Sequence, residues 1–100
     1  MNYSEELLLK RVLKEKGIQE QTRQTMEELG ELIVELSKGL RYQSKGGGPA
    51  NLDSIAEEIA DARIMIDQME IFYNTKTRTL DYRTMKLERL RIMLDTGRGL

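Results

Sequence analysis

The sequence predicts an all-α fold, a four-helix bundle in one domain spanning residues 1–100, and three observations carry that prediction. Charged residues make up 33% of the chain whereas aromatic residues make up 5%, and there is a single Pro. The glycines cluster at a few places instead of scattering through the chain. Between those places, apolar residues recur at the three- and four-residue spacing of amphipathic helices. This profile is typical of packed helices and not of a sheet.

The first two helices are separated by a glycine. Ser4 is the predicted N-cap of a first helix over residues 5–16, which stops at Gly17. The second helix begins near Ile18 and runs to about Tyr42. With Glu28 at zero, six of its apolar side chains fall between roughly 40° and 160° around the helix axis. These side chains form its predicted buried face: Met26, Leu29, Leu32, Ile33, Leu36 and Leu40.

Residues 44–51 break the helical pattern with successive glycines and a Pro. Their composition predicts a flexible connection, since the pattern of a phosphate-binding loop is absent. The third helix starts at residues 51–53 and continues to about Tyr73. A polar connection over residues 74–79 follows, and the fourth helix runs from about Leu80 to Thr96.

Two pairs of acids stand out, one on the second helix and one on the third. Glu28 and Glu31 are three residues apart, so they share one helix face. Glu58 and Asp61 repeat this spacing on the third helix. Like charges placed in this way repel each other and weaken a helix. Two such pairs beside apolar faces indicate a bound cation, and we interpret them as a magnesium site.

Glu58 is the most informative of these acids, because it falls within the apolar arc of the third helix. An ionised carboxylate on a core-facing stripe is costly unless it is paired with a cation or bound to a metal. A salt bridge also explains Glu58 alone, with Lys38, Arg41 or Arg63 as the partner. Salt bridges for all four acids would require four basic partners, so a bound cation explains the four acids together better.

The residue types that are missing restrict the chemistry. The chain contains no His and no Cys, which excludes imidazole and thiolate metal ligands, disulfides and Ser-His triads. Di-iron bundles that use Glu-x-x-His pairs are disfavoured for the same reason. The remaining donors are oxygens, which suit hard ions such as Mg²⁺ or Mn²⁺.

Charge is divided unevenly along the chain. Residues 1–75 hold 9 Lys and Arg against 14 Asp and Glu, a net charge of −5, whereas residues 76–100 hold 7 against 3, a net charge of +4. The division is compatible with separate metal and phosphate sites, although charge counts alone favour simple attraction between the two parts. Acids interspersed along the basic fourth helix argue against binding to a membrane or to nucleic acid.

The chain is expected to be cytoplasmic and to form a homo-oligomer. No apolar run approaches the roughly 18 residues that a membrane span needs. The N-terminus lacks the apolar core and cleavage site of a signal peptide. Apolar residues on the outer faces of the second and third helices indicate a second buried surface, which we interpret as a contact between copies. These residues are Val34, Ile64 and Ile71.

The acid pairs resemble those of a known family. Glu28-x-x-Glu31 and Glu58-x-x-Asp61, with 26 residues between the two motifs, are similar to the motifs of the MazG-type all-α nucleoside triphosphate pyrophosphohydrolases. The residues beside them are also similar: Gly30-Glu31-Leu32, Glu57-Glu58 and Ile59-Ala60-Asp61-Ala62. The resemblance covers about residues 20–75.

The resemblance implies a four-helix MazG-like bundle that associates into a dimer or tetramer. It implies hydrolysis of an NTP or dNTP between the α and β phosphates, giving the monophosphate and pyrophosphate. It also implies Mg²⁺ held by the four motif acids, Glu28, Glu31, Glu58 and Asp61. One of these acids, such as Glu28, or the neighbouring Glu27 would orient or deprotonate the attacking water.

Members of the family also place basic residues against the β and γ phosphates. The candidates here are Lys38, Lys76, Lys86 and Arg89, each of which is also explained as a solvated surface charge. Two other functions stay open. One is phosphoribosyl-ATP pyrophosphohydrolase activity, which uses similar acid pairs. The other is a non-enzymatic helical dimerisation or adaptor module, which would bind no divalent metal.

Overall fold

The chain folds into four α-helices in the computed structural model, which describes residues 1–44, 46 and 51–97 and contains no strand within them. The predicted all-α class is therefore confirmed. The helices are α1 Tyr3–Lys16, α2 Ile18–Ser44, α3 Leu52–Tyr73 and α4 Lys76–Thr96. None of these helices, over the described residues, is long and apolar enough to cross a membrane. Most of the predicted flexible connection, residues 45 and 47–50, lies outside the described residues.

Helix α1 begins earlier than predicted, and its N-cap is Asn2 and not Ser4. The backbone N–H of Glu5 donates to Oδ1 of Asn2 at 2.8 Å, and the backbone N–H of Asn2 donates to Oε1 of Glu5 at 2.8 Å. This reciprocal capping box satisfies two otherwise free N–H groups at the helix start. The helix ends as predicted before Gly17, whose φ of 85° favours glycine.

Helices α2 and α3 form an antiparallel pair. Thr22 lies beside Met69 at one end of the pair, and Gly39 lies beside Ile55 at the other. The buried residues of α2 are all polar or small: Gln21, Thr25 and Gly39. Helix α1 packs on both helices. Helix α2 therefore meets its neighbours with a polar edge and not with its apolar face.

The prediction that the apolar face of α2 is buried is wrong for the single chain. Of its six apolar side chains only Leu32 is partly covered. The other five are between 38% and 68% exposed: Met26, Leu29, Ile33, Leu36 and Leu40. Helix α3 contacts the neighbouring edge of α2, where Gly39 lies beside Ile55. The acids of α2 consequently lie close to α3, and the apolar face is left uncovered.

The core is small. Its buried apolar residues among those described are Leu9, Ala62 and Met65. Ala62 and Met65 lie on the apolar arc of α3 that also contains Glu58, whereas three other residues of that arc are exposed: Ile66, Phe72 and Tyr73. Of the residues assigned to a second buried surface, Val34 and Ile64 are exposed and Ile71 is partly buried.

Helix α4 begins at Lys76, one turn before its predicted start. Asn74 ends α3 in the left-handed conformation, with φ 54° and ψ 48°, and the next helix begins two residues later. The Thr-rich segment was expected to be a connection, but Thr disfavours a helix by only about 0.7 kcal/mol per residue. Helix α4 contacts α3 alone among the described elements. Every residue of α4 is exposed except Met93, which is partly buried.

Gly39 is buried where α2 meets the first turn of α3. A Cβ atom at Gly39 would lie 3.2 Å from Cδ1 of Ile55, closer than an ordinary van der Waals contact. We expect Gly39→Leu to lower the free energy of unfolding by about 1–2 kcal/mol, measured by chemical denaturation. Gly30→Leu is the matched control, because nothing lies within 4 Å of a Cβ at Gly30. Equal destabilisation by both substitutions would show that the contact with Ile55 is not tight.

Candidate metal centre

Three of the predicted acids meet where α2 packs on α3. Glu28 and Glu31 come from successive turns of α2, and Glu58 comes from α3. One carboxylate oxygen from each residue lies within 4.8 Å of the other two. Glu28 and Glu58 are partly buried, while Glu31 is exposed. The cluster is thus sheltered by the helices on one side and open to solvent on the other.

Two carboxylate oxygens of this cluster are buried without a hydrogen-bond partner, Oε2 of Glu28 and Oε2 of Glu58. The other oxygen of Glu28 accepts a hydrogen bond of 2.7 Å from Nε2 of Gln24. Lys38, one candidate for a salt bridge to Glu58, instead pairs with Glu35 at 3.2 Å. A buried carboxylate oxygen without a donor is costly, and a bound cation would remove that cost.

The surroundings of Glu58 favour its neutral form. Burial and repulsion from Glu31, Glu28 and Asp61 raise the pKa of Glu58 from 4.5 to about 7. The nearness of Glu28 adds to this rise, because ionised carboxylates can only accept hydrogen bonds and a proton kept on Glu58 is the one donor that the two side chains could share. A divalent cation would take the place of that proton, since it favours the ionised form of every carboxylate around it.

The raised pKa of Glu58 makes the stability of the metal-free protein depend on pH. The folded state keeps the Glu58 proton up to about pH 7, whereas the unfolded state releases it near pH 4.5. The contribution of Glu58 to the free energy of unfolding is therefore full below about pH 4.5 and is lost as the pH rises through about 7. We expect the Tm measured in chelator to fall across this range, and to fall less in Glu58→Gln. An equal fall in that variant would assign the pH dependence to other groups.

The cluster opens into a cleft of about 550 Å³ along one side of α2. The cleft is lined by Glu27, Gly30, Glu31, Val34, Glu35 and Glu58. Gly30 has no side chain, which leaves room beside the acids. Glu27 is exposed at this cleft, where its carboxylate can accept a proton from a water molecule. Of the two predicted catalytic acids, Glu27 therefore lies on the solvent side and Glu28 lies on the side of α3.

Asp61, the fourth predicted ligand, lies one turn beyond Glu58 on α3 and is partly buried. It is close enough to raise the pKa of Glu58, but it does not belong to the group whose oxygens lie within 4.8 Å of one another. Lys38 is held beside the cleft by its ion pair with Glu35. The structure therefore gathers three of the four predicted ligands and places the fourth next to them.

The other predicted phosphate contacts lie on α4 and are exposed: Lys76, Lys86 and Arg89. Helix α4 does not contact α2 within the described residues. Lys76 shares a pocket with Asp67 and Glu70 at the end of α3. Glu70 is about 18 Å along the helix from Glu58, at about 1.5 Å per residue. One chain alone therefore does not bring these cations to the acids.

Asn51 is a residue of the site that the sequence did not reveal. Its Nδ2 donates to the backbone oxygen of Glu35 at 2.9 Å and to Oε2 of Glu35 at 2.7 Å. These contacts tie the start of α3 to the cleft, and hydrogen bonds from Asn51 and Lys38 lower the pKa of Glu35. No local pattern signals a contact between residues 16 positions apart. By contrast, the contact of Gln24 with Glu28 follows from their four-residue spacing.

The centre is thus an oxygen-only set of donors on two antiparallel helices. Carboxylate oxygens suit Mg²⁺ or Mn²⁺, and two buried oxygens of the set have no other partner, so the residues fit a hard divalent cation. The chain matches no protein-family model, no curated protein and no solved structure.

Proposed function

We propose that this chain is a Mg²⁺-dependent pyrophosphohydrolase, which converts a nucleoside triphosphate, NTP or dNTP, to the monophosphate and pyrophosphate. The observation that carries the proposal is the meeting of Glu28, Glu31 and Glu58 within 4.8 Å, with buried oxygens that no hydrogen-bond donor reaches. Mn²⁺ would suit the same donors. The resemblance of the acid pairs to those of MazG-type enzymes supports the same reaction.

Glu28, Glu31 and Glu58 would hold the metal from two helices, and Asp61 would add a ligand from the next turn of α3. Bound Mg²⁺ supplies charge neutralisation at the phosphate oxygens and lowers the pKa of a bound water. Packing of α2 on α3 positions Glu28 and Glu58 in advance, so that little rearrangement is needed on binding. Exposed Glu31 can adjust to the substrate from the solvent side.

Glu27 and Glu28 are the acids that would handle the attacking water. Glu28 would orient it, while Glu27 accepts its proton as the water oxygen forms a bond to the α phosphorus. The bond from that phosphorus to the oxygen bridging the α and β phosphates breaks, and pyrophosphate leaves with the electron pair. Glu27 then returns its proton to solvent.

The triphosphate tail also needs positive charge around it. Of the predicted phosphate contacts, Lys38 lies beside the cleft within one chain, because it forms an ion pair with Glu35 of the cleft lining. Binding of a phosphate would draw the ammonium group away from Glu35. Lys76, Lys86 and Arg89 would reach a phosphate only if another copy brought α4 to the cleft.

Pyrophosphate release from a panel of NTPs, dNTPs and phosphoribosyl-ATP in the presence of Mg²⁺ tests the proposal. We expect equal amounts of nucleoside monophosphate and pyrophosphate, and no release in excess chelator. Pyrophosphate release from phosphoribosyl-ATP alone would identify phosphoribosyl-ATP as the substrate. No release from any of them, together with no effect of Mg²⁺ on Tm, would overturn the proposal and favour a helical adaptor.

A further inference from the structure

Five exposed apolar side chains form a row along α2, which we call the α2 seam. The row consists of Met26, Leu29, Ile33, Leu36 and Leu40. Its spacing alternates between three and four residues over two heptads, which is the pattern of a coiled-coil contact. The small residue Ser37 follows Leu36 and leaves space at that end of the row for another helix to approach.

Helix α4 carries a second row of the same length, which we call the α4 seam. The row consists of Leu80, Leu87, Leu90 and Leu94, which are between 42% and 78% exposed. Leu80, Leu87 and Leu94 are spaced by seven residues, as Met26, Ile33 and Leu40 are in the α2 seam. Each seam is about 21 Å long. The two seams do not meet within one chain, because α4 contacts only α3 among the described elements.

The accessible surface of the chain is too large for a compact monomer. It measures 8048 Å², whereas a folded chain of 11.6 kDa exposes about 5,800 Å². Burying the excess of about 2,200 Å² per copy would give a dimer interface of about 4,400 Å² in total, which is the size of a permanent homodimer interface. The radius of gyration, 17.1 Å, also exceeds the about 13 Å expected for 100 residues.

We propose that α4 of one copy packs along the α2 seam of a second copy, and that the exchange is reciprocal. Charge favours this pairing over contact between two α4 seams, because residues 76–100 carry a net charge of +4 and residues 1–75 carry −5. The α2 seam lies at roughly 80–160° around α2, whereas the cleft residues of α2 lie at roughly 200–340°. The metal centre therefore stays open to solvent in such a dimer.

Single cysteines can report this contact, because the chain contains no Cys of its own. Ile33 and Leu87 are the central positions of the two seams, so they lie opposite each other whichever way the helices run. When Ile33→Cys and Leu87→Cys chains with different tags are co-expressed and oxidised, we expect a disulfide-linked dimer that contains one of each. Cross-linking of either variant only with itself, or no mixed dimer at all, would overturn the proposal.

Analytical ultracentrifugation provides a second measurement. We expect the wild type to be a dimer, and Ile33→Glu/Leu36→Glu to raise the dimer Kd by at least roughly 100-fold, because it places charges in an apolar contact. Leu7→Glu/Leu8→Glu is the control, since both are exposed apolar residues of α1 outside the two seams and the cleft, and it should stay dimeric. Circular dichroism checks that the helices persist. A monomeric wild type, or a seam variant that dimerises like the control, would refute the exchange.

Discussion

Glu58→Gln should lower the rate of pyrophosphate release by at least about 100-fold at saturating Mg²⁺. The substitution keeps the size of the side chain but removes one negative charge from the three acids that lie within 4.8 Å. It also replaces a partnerless buried oxygen with an amide that binds a divalent cation weakly. The fold should persist, since a neutral amide at this position does not repel Glu28, Glu31 and Asp61. The rate is measured by pyrophosphate release, and the fold by circular dichroism.

Glu57→Gln is the matched control for this prediction. Glu57 is the preceding residue of α3, it is exposed, and it lies about 100° around the helix from Glu58. The control makes the same chemical change outside the cluster, so its rate should stay within about twofold of the wild type. Comparable losses of rate in the two variants, or full activity in Glu58→Gln, would show that Glu58 is not a ligand of the metal centre.

The acids of the site could be predicted because their signals are local. Glu28 and Glu31 share a face through helix geometry alone, and the position of Glu58 on an apolar arc needs only the same period. That α2 and α3 would bring the acids together was predicted because two such pairs lie beside apolar helix faces, which indicates a shared cation. The structure places three of the four predicted ligands, Glu28, Glu31 and Glu58, in one group, and Asp61 lies beside it.

The packing face of α2 could not be predicted, because the sequence contains two usable faces. The apolar row from Met26 to Leu40 offers more hydrophobic area, and periodicity alone assigns it to the core. The structure instead buries Thr25 and Gly39 of α2, and Gly39 lies beside Ile55 of α3. The contact of Asn51 with Glu35 forms only when α2 packs on α3 in this way, so the sequence could not predict it either. An apolar row that a chain leaves uncovered is the expected signature of a partner helix.

The acids of the candidate metal centre lower the stability of the folded chain. A core of few buried apolar residues has to hold together two helices whose contact carries acids with partnerless oxygens. Buried charges of this kind destabilise the folded state unless a cation neutralises them. The folded state should therefore gain stability from the metal, and also from any change that removes the acids.

Glu28→Leu/Glu58→Leu should raise the Tm of the metal-free protein and abolish its response to Mg²⁺. Leucine is close to glutamate in volume, so the contact between α2 and α3 can close over apolar side chains in place of mutually repelling carboxylates. For the wild type, Mg²⁺ at ten times its Kd should stabilise the folded state by about 1.4 kcal/mol, which is a rise of roughly 5–10 °C in Tm. Differential scanning calorimetry with and without Mg²⁺ measures both effects.

The control for this double variant is Glu20→Leu/Glu57→Leu, which removes one exposed acid from each of the same two helices. It should leave the response to Mg²⁺ intact and change the metal-free Tm little, because substitutions of exposed residues outside the cluster have small effects. If Glu28→Leu/Glu58→Leu instead lowered the metal-free Tm, the two carboxylates would be structural partners in the pair of helices and not ligands awaiting a metal. If it kept the rise with Mg²⁺, the cation would be binding elsewhere on the chain.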